Sequence, residues 1–120
     1  MADSIEETKT FSPRFDDRGF LPVIAQDAET KAVLMVAYAN QEAIDRTLAT
    51  GDAHYWSRSR QELWHKGATS GHTQKVMKVL TDCDQDTLIY MVEQAGAACH
   101  TGRDSCFYRE VTREGLEPSA

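Results

Sequence analysis

The chain has 120 residues, which suits one domain but leaves little room for a deep cleft private to each subunit. A net charge of -6 argues against a nucleic-acid-binding surface, which is normally basic. The composition, 41% hydrophobic and 27% charged, is ordinary for a soluble globular protein, and the longest apolar run, 32–39, is too short to cross a membrane.

The first ten residues are acidic and lack both periodicity and the apolar core of a signal peptide. We therefore predict a mobile tail over 1–10, a single domain over 11–118 and a cytoplasmic location, with fraying at the last two residues. Turn chemistry over 15–19 precedes a predicted strand over 21–26. A hairpin connection then leads to an apolar strand over 32–38.

A short helix is predicted over 41–49. Asn40 is a good N-cap candidate, because its side chain can accept a hydrogen bond from an early helical amide. Ala43, Ile44 and Leu48 recur at helical spacing, which predicts that they share the buried face. Gly51 suits the position that ends the helix.

Strands predominate after this helix. We predict strands over 54–58, 74–81, 87–92 and 107–111, a loop over 66–71, and either a turn of helix or a loop over 59–64. Because strands outnumber helices and follow one another in sequence, the predicted fold class is α+β, with a mainly antiparallel sheet and one or two short helices.

Three aspartates alternate with other residues at Asp82, Asp84 and Asp86. In an extended backbone their carboxylates would share one side, with Cys83 on the other. A divalent cation would relieve their repulsion; oxygen ligands suit magnesium or calcium, whereas the thiolate suits zinc. A solvated acidic turn is an equally simple interpretation. An EF-hand loop is disfavoured, because Thr87 replaces the glycine that its sharp turn requires.

The three cysteines, in a chain without a visible secretory signal, argue against a disulfide framework. The spacing of Cys83, Cys99 and Cys106 matches no common structural zinc pattern, and buried inert cysteines are the simpler interpretation. Three thiolates nevertheless match a catalytic zinc site, where the fourth position holds a water whose pKa falls towards about 7. His100 is then a general base, a fourth zinc ligand or an ordinary polar residue. Surface or hydrogen-bonding roles are expected for the other histidines, His54, His65 and His72.

Basic and polar side chains are concentrated over 55–71. Arg58 and Arg60 could hold a phosphate in a bidentate way, Lys66 could add a point charge, and Ser70 could offer a hydroxyl. The glycine spacing is not that of a P-loop. The alternative is a solvated basic strand; we favour core positions for its two tryptophans and leave the arginines open.

Together these segments closely resemble the phosphoribosyl-AMP cyclohydrolase family, over about residues 15–110. The strand over 34–38 and the helix after it also match. The motifs that carry the resemblance are Trp56-Ser57-Arg58-Ser59-Arg60, Leu63-Trp64-His65-Lys66-Gly67, Thr69-Ser70-Gly71, Asp82-Cys83-Asp84-Gln85-Asp86, Cys99-His100-Thr101-Gly102 and Ser105-Cys106-Phe107.

The resemblance implies the stand-alone form of a histidine-biosynthesis hydrolase that opens the N1–C6 bond of the adenine in 1-(5-phosphoribosyl)-AMP, using zinc-activated water. It also implies an intertwined homodimer that binds zinc and magnesium. By the family pattern, Cys83 of one subunit joins Cys99 and Cys106 of the other on zinc, while magnesium binds the three aspartates. We add His100 as the candidate proton carrier. Our candidates for holding the phosphate-bearing arms are Arg58, Arg60, Lys66 and Ser70.

Three other classes fit parts of the pattern. A structural zinc module, with His100 as its fourth ligand, would leave the basic segment unexplained. A zinc deaminase is disfavoured, because its His-x-Glu and Pro-Cys-x-x-Cys signature is absent. A calcium-binding domain is disfavoured by Thr87. The expected partners are the small-molecule substrate and a second copy of the chain, without nucleic acid or membrane.

Overall fold

Two sheets and one helix make up the part of the chain, residues 4–118, that this computed structural model describes. The larger sheet has six strands in the order β4-β3-β2-β1-β6-β5, and β7 and β8 pair as a separate hairpin. The predicted tail over 1–10 and the predicted fraying at Ser119 and Ala120 fall partly or wholly outside the described residues. The elements are β1 (Leu21–Asp27), β2 (Val33–Ala39), α1 (Gln41–Thr50), β3 (His54–Ser57), β4 (Glu62–His65), β5 (Gln74–Thr81), β6 (Leu88–Gln94), β7 (Arg109–Thr112) and β8 (Gly115–Pro118).

Strand pairing is mainly antiparallel, as predicted. The exception is β1 with β6, which run parallel, with Val23 opposite Leu88 and Asp27 opposite Val92. These two strands are separated in sequence by the first helix and four other strands, and their pairing joins the two halves of the sheet. The α+β fold class is confirmed, with one helix in the described residues.

The helix α1 begins at the predicted residue, Gln41, and ends at Thr50, one residue beyond the prediction. The Asn40 side chain accepts a hydrogen bond from the Ala43 amide at 3.0 Å, and Gly51 closes the helix in the left-handed conformation, at φ 79. The cap amide of Gly51 donates to the Thr47 carbonyl, so a helical carbonyl is satisfied at this end. Among residues 4–118, no helix is long and apolar enough to cross a membrane.

The buried face of α1 differs from the prediction at one position. Ala43, Ile44 and Thr47 are buried, whereas Leu48 is 59% exposed. The physical reason is that the helix face turned towards the sheet carries Thr47 and not Leu48. Thr47 takes the inward position, where its hydroxyl donates to the Ala43 carbonyl at 2.8 Å and accepts from the His54 amide at 2.9 Å.

The core lies between α1 and one face of the large sheet. In β1, burial alternates along the strand, with Leu21, Val23 and Ala25 fully inside, as expected for a half-buried strand. Tyr55 and Tyr90 are the largest fully buried side chains, and their ring centroids lie 5.4 Å apart. The core thus fixes β1, β3 and β6 against one another.

Two short strands were not predicted. The segment over 59–64, expected as a loop or helical turn, contains β4, which pairs with β3 so that Tyr55 faces Trp64. The last predicted strand, 107–111, lies instead at 109–112 and pairs with β8. The two unpredicted strands, β4 and β8, are each only 4 residues long, and pairing with a neighbouring strand defines them.

Candidate metal and substrate site

The loop after β6 carries two of the three cysteines and is folded tightly on itself. The Cys99 amide donates to the Arg103 carbonyl at 3.1 Å, and the Gly102 amide donates back to the Cys99 carbonyl at 3.0 Å. The Cys106 amide donates to the Leu34 carbonyl at 2.7 Å, which ties the end of this loop to β2. The loop therefore returns Cys106 to the neighbourhood of Cys99.

The thiols of Cys99 and Cys106 lie close enough to shift each other's pKa. The Thr101 hydroxyl donates to Cys99 Sγ at 3.0 Å, and this bond lowers the pKa of Cys99. Partial burial of the Cys106 sulfur raises the pKa of Cys106, and the neighbouring Cys99 thiol raises it further. One thiol thus ionises more easily than the other, as expected when two thiols share one negative charge.

The ammonium group of Lys66 lies beside these thiols. Its Nζ donates to the Ala98 carbonyl at 2.9 Å and stands 5.4 Å from the centroid of the Trp64 ring. The side chain is buried, and burial lowers the pKa of Lys66, while Cys106 and Cys99 raise it. Because a buried cation is costly without an anionic neighbour, this arrangement suits thiolates better than neutral thiols.

Cys83 stands apart from the other two cysteines. It is exposed, in the turn between β5 and β6. Within residues 4–118, one group of three candidate ligands brings its ligand atoms within 4.8 Å of one another, and that group is Asp82, Asp84 and Asp86. A single chain therefore does not bring its three thiols together.

The three carboxylates meet through a tight turn, not through an extended strand. The Gln85 amide donates to the Asp82 carbonyl at 3.2 Å, and the Asp82 amide donates to the Thr87 carbonyl at 3.3 Å, which closes the turn. Asp82 Oδ1 also accepts from the amides of Asp86 and Thr87, at 3.0 and 3.1 Å. The turn thus brings the three predicted carboxylates together, with ligand atoms within 4.8 Å of one another.

These carboxylates shift one another's pKa. Burial raises the pKa of Asp82, but hydrogen bonds from the Asp86 and Asp84 side chains and from nearby amides outweigh it and lower that pKa. Hydrogen bonds to Asp82 and Asp84 raise the pKa of Asp86. Clustered carboxylate oxygens, whose repulsion a cation would reduce, fit a divalent cation of the magnesium or calcium type. The two paired thiols fit a softer metal such as zinc.

The predicted phosphate-binding residues line two adjoining clefts beside β3 and β4. Arg58 and Arg60 line a cleft of about 400 Å³ with Tyr38 and Trp56, and the Arg58 guanidinium lies 3.7 Å from the Tyr38 ring centroid. A second cleft, of about 450 Å³, is also lined by Arg60, and its other candidate residues are Lys66 and Ser70.

The hydrogen bonds and the ion pair that these side chains make within the chain leave some of their polar atoms free to bind a ligand. Arg60 Nε lies 3.5 Å from Glu62 Oε1, and both side chains are more than half exposed, so this ion pair is weak. The Ser70 hydroxyl accepts from the His72 amide at 3.2 Å. Of the tryptophans expected in the core, Trp64 packs against it, whereas Trp56 is half-buried and stacks on Phe20 at 6.2 Å.

The histidines separate into two kinds. His100 is exposed and directly follows Cys99 in the thiol loop. His54 is buried, its ring stacks on that of His65 at 4.5 Å, and its Nδ1 donates to the Asp52 carbonyl at 2.8 Å. His72 packs against Gly96 so closely that a Cβ there would lie 2.5 Å from its ring. The hydrogen-bonding role predicted for His54 agrees with this geometry.

A third cleft was missed by the sequence analysis. It has a volume of about 330 Å³ and lies where the segment before β1 meets the aspartate turn. Arg14 and Phe15 line it together with Asp84 and Asp86. No local motif marks Arg14, because its position depends on contacts between residues that are about 70 positions apart in the sequence.

Known proteins match this chain over most of its length. A family model described as phosphoribosyl-AMP cyclohydrolase matches residues 35–108. A relative of that name from Archaeoglobus fulgidus is 62% identical over 98 residues, covering 82% of this chain and 91% of its own. One from Nitrobacter hamburgensis is 60% identical over 114 residues, covering 94% and 78%. One from Haloarcula marismortui is 58% identical over 100 residues and covers 83% of each chain.

The protein is thus an enzyme, of the class of hydrolases that act on cyclic amidines. The chain belongs to the phosphoribosyl-AMP cyclohydrolase family. The resemblance inferred from the separate motifs is confirmed, and the matched residues include the basic segment, the aspartate turn and the thiol loop.

Proposed function

We propose that this chain opens the adenine ring of 1-(5-phosphoribosyl)-AMP by hydrolysis of the N1–C6 bond, as a step in histidine biosynthesis. The substrate is the one named in the family and in its relatives. The structural observation that carries the proposal is the loop that brings Cys99 and Cys106 near each other, with the buried ammonium of Lys66 bonded to the Ala98 carbonyl beside them. This pair, on a loop with an exposed histidine, suits a metal site that stays open to a ligand.

The proposed zinc ligands are Cys99 and Cys106 with Cys83 from a second copy. Two observations support a shared site: the first two thiols lie near each other, and Cys83 is exposed and apart from them. Zinc, when bound to three thiolates, supplies a water that ionises near neutral pH. Lys66 holds the loop that carries Cys99 and offsets part of the negative charge of the thiolates.

The reaction adds one water to the ring. The ribosyl group on N1 withdraws electrons and makes C6 the electrophilic carbon. The water oxygen bonds to C6 and remains there as the carbonyl oxygen of a carboxamide, and the N1–C6 bond breaks. One proton of the water goes to N1, and the other goes to the exocyclic nitrogen, which becomes the carboxamide NH2. The exocyclic nitrogen stays on C6. We assign the proton transfer to His100, since it is exposed and adjacent to Cys99.

The acidic and basic groups would hold the rest of the substrate. The oxygens of Asp82, Asp84 and Asp86 are the proposed magnesium ligands. Arg58 and Arg60, with Ser70, are the proposed contacts to the phosphate-bearing arms, since they line adjoining clefts. For Lys66, also a candidate here, the bond to Ala98 favours the anchoring role over a direct contact with phosphate.

We propose an intertwined homodimer as the active form. Large apolar side chains are exposed near both halves of the proposed zinc site. Phe107, which follows Cys106, is 57% exposed, and Leu80, which precedes the aspartate turn, is 41% exposed. On β2, Val33 and Val36 are 43% and 47% exposed. Covering these residues with a second copy would bury apolar surface and bring Cys83 to the other thiols. A cytoplasmic location stays a prediction, which cell fractionation tests.

The reaction is tested by ultraviolet spectroscopy of the purified protein with phosphoribosyl-AMP, zinc and magnesium. A spectral change that reports ring opening, and that chelation abolishes, is the expected result. No change with folded, zinc-loaded protein would contradict the proposed substrate and favour a structural zinc module.

The role of His100 needs a separate variant. His100→Gln should lower kcat by about 10²-fold to 10⁴-fold, as loss of a general acid–base group does. Zinc content should stay at the wild-type level. Loss of zinc together with activity would identify His100 as a zinc ligand instead.

The shared zinc site is tested by subunit complementation. Cys83→Ser and Cys106→Ser should each lack zinc and activity, and Cys83→Ser should also weaken the dimer. After the two are unfolded and refolded together, mixed dimers regain one complete site, because the intact Cys83 of one chain meets the intact pair of the other. About a quarter of the wild-type activity is then expected from random pairing in a symmetric dimer. An inactive mixture of folded mixed dimers would contradict sharing.

A further inference from the structure

Gln85 has an unusual position in the centre of the aspartate turn. Its backbone is left-handed, at φ 60, which non-glycine residues seldom adopt because of the contact between Cβ and the following carbonyl. The residue is only 5% exposed, although the aspartates around it are half-buried or exposed. The side chain therefore points away from solvent and towards the segment that precedes β1, residues 4–20.

The side chain of Gln85 is bonded to that segment along its length. Its Oε1 accepts from the Ser12 amide at 2.7 Å. Its Nε2 donates to the carbonyls of Ile5 and Thr10, at 3.3 and 3.4 Å. The Gln85 carbonyl accepts from the Arg14 amide at 2.7 Å. A glutamine amide both accepts and donates, so glutamate in this place could not donate to the two carbonyls.

These bonds place Arg14 at the third cleft. The cleft is lined by Arg14 and Phe15 from the segment and by Asp84 and Asp86, which flank Gln85 on both sides. The far end of the segment is fixed by Asp16, whose Oδ1 accepts from the Phe20 amide at 3.0 Å. Gln85 thus connects the turn that carries Asp84 and Asp86 to the backbone of Arg14.

We propose that Gln85 is a positioning residue. It couples cation binding by the aspartate turn to the placement of residues 4–14. In this way it holds Arg14 against a substrate phosphate beside the cation. The inference rests on the proposed function. A cation bound by Asp84 and Asp86 restricts the backbone between them, and this backbone carries the bonds to the segment. Cation binding and ordering of the segment are then linked equilibria that stabilise each other.

Trypsin gives a direct readout of this coupling, because the bonds after Lys9 and Arg14 both lie in the segment. With the wild-type full chain, we expect magnesium to slow cleavage at both bonds by about tenfold or more, as an ordered segment opens less often. In Gln85→Gly, which tolerates the left-handed backbone but removes the side chain, this protection should be lost, while calorimetry should still detect magnesium binding.

Gln61→Gly is the matched control, because Gln61 is also left-handed, at φ 56, but its side chain bonds to the Arg58 carbonyl. Protection should persist in this variant. Equal cleavage of the wild type with and without magnesium would overturn the coupling, as would full protection of Gln85→Gly. Wild type that opens the ring but shows no protection refutes this inference alone, whereas folded wild type without ring opening refutes the proposed function.

The role of Arg14 is tested by steady-state kinetics. Arg14→Gln should raise the KM for phosphoribosyl-AMP by about tenfold, the loss expected for one charged hydrogen bond, with kcat changed less than about twofold. Arg18→Gln is the control, because Arg18 is exposed in the same segment and does not line the cleft. An unchanged KM in Arg14→Gln would overturn the phosphate contact.

Discussion

Lys66 Nζ donates a 2.9 Å hydrogen bond to the carbonyl oxygen of Ala98, the residue directly before Cys99. The backbone amide of Lys66 donates to the Ala53 carbonyl at 3.1 Å, so the residue is fixed to the framework at one end and to the thiol loop at the other. The position of Cys99 thus depends on a side chain from a different part of the chain.

Lys66→Met should destabilise the protein and weaken zinc binding together. The Ala98 carbonyl loses its partner, which costs about 1–3 kcal/mol, and the thiolates lose their neighbouring cation. Urea unfolding measures the first effect, and the rate of zinc release to a chelator measures the second. Lys78→Met, at an exposed position of β5, should stay within about 0.5 kcal/mol of wild type. Wild-type zinc release from Lys66→Met would contradict the anchoring role.

Gly67→Ala should be far more destabilising than Gly71→Ala. Both glycines have φ 82, so both variants carry the same left-handed strain, of about 1–2 kcal/mol. A Cβ at Gly67 would also lie 2.3 Å from the backbone carbon of His72, whereas at Gly71 nothing lies within 4 Å. We expect an additional loss of about 1–3 kcal/mol at Gly67, typical of overpacking, in the free energy of unfolding. Equal losses would show that the contact with His72 relaxes freely.

Alkaline pH should destabilise the fold through its buried tyrosines. Burial raises the pKa of Tyr90 to about 12, with a hydrogen bond from Thr47 acting in the opposite direction. Burial also raises the pKa of Tyr55, and the electrostatic effect of the neighbouring Tyr90 raises it further. Because the folded-state pKa of Tyr90 is raised, the stability gained by burying its neutral hydroxyl is complete below pH 10. This stability is lost as pH rises towards 12.

The measurement is the free energy of unfolding in urea between pH 9 and pH 11. Each buried tyrosine should contribute a decrease of up to about 1.4 kcal/mol per pH unit above its unfolded-state pKa. Tyr90→Phe should flatten this decrease. The variant also loses the bond from the Tyr90 hydroxyl to the His54 carbonyl, but that loss is constant with pH and cancels when slopes are compared. An unchanged slope would contradict the assignment to Tyr90.

Acid should weaken the turn between β1 and β2 through Asp27. Its carboxylate accepts from the Thr30 and Glu29 amides at 2.8 and 2.9 Å, and these bonds lower the pKa of Asp27. A lowered folded-state pKa means that the stabilisation is present above 3.8 and is lost as pH falls below that value. Asp27→Asn should be less stable than wild type at pH 7, by about 1 kcal/mol, and the difference should shrink at pH 3. A constant difference in urea unfolding would contradict this role.

Local sequence alone was sufficient for several elements. Asn40 and Gly51 delimit α1 because capping needs only neighbouring residues, and the local patterns of β1, β2, β5 and β6 identify strands without reference to partners. The separate motifs identified the family, since the motifs depend on residue identity and order along the chain.

Tertiary structure decided what brings these parts together. The parallel pairing of β1 with β6, the bond from Lys66 to Ala98 and the bonds from Gln85 to the segment at 5–14 all join positions far apart in sequence. The same holds for the short strand β4, which only its pairing with β3 defines. Long-range contacts form only when the whole chain folds around a common core and gives up its conformational entropy. A local pattern of residues therefore does not specify which distant partner each side chain contacts.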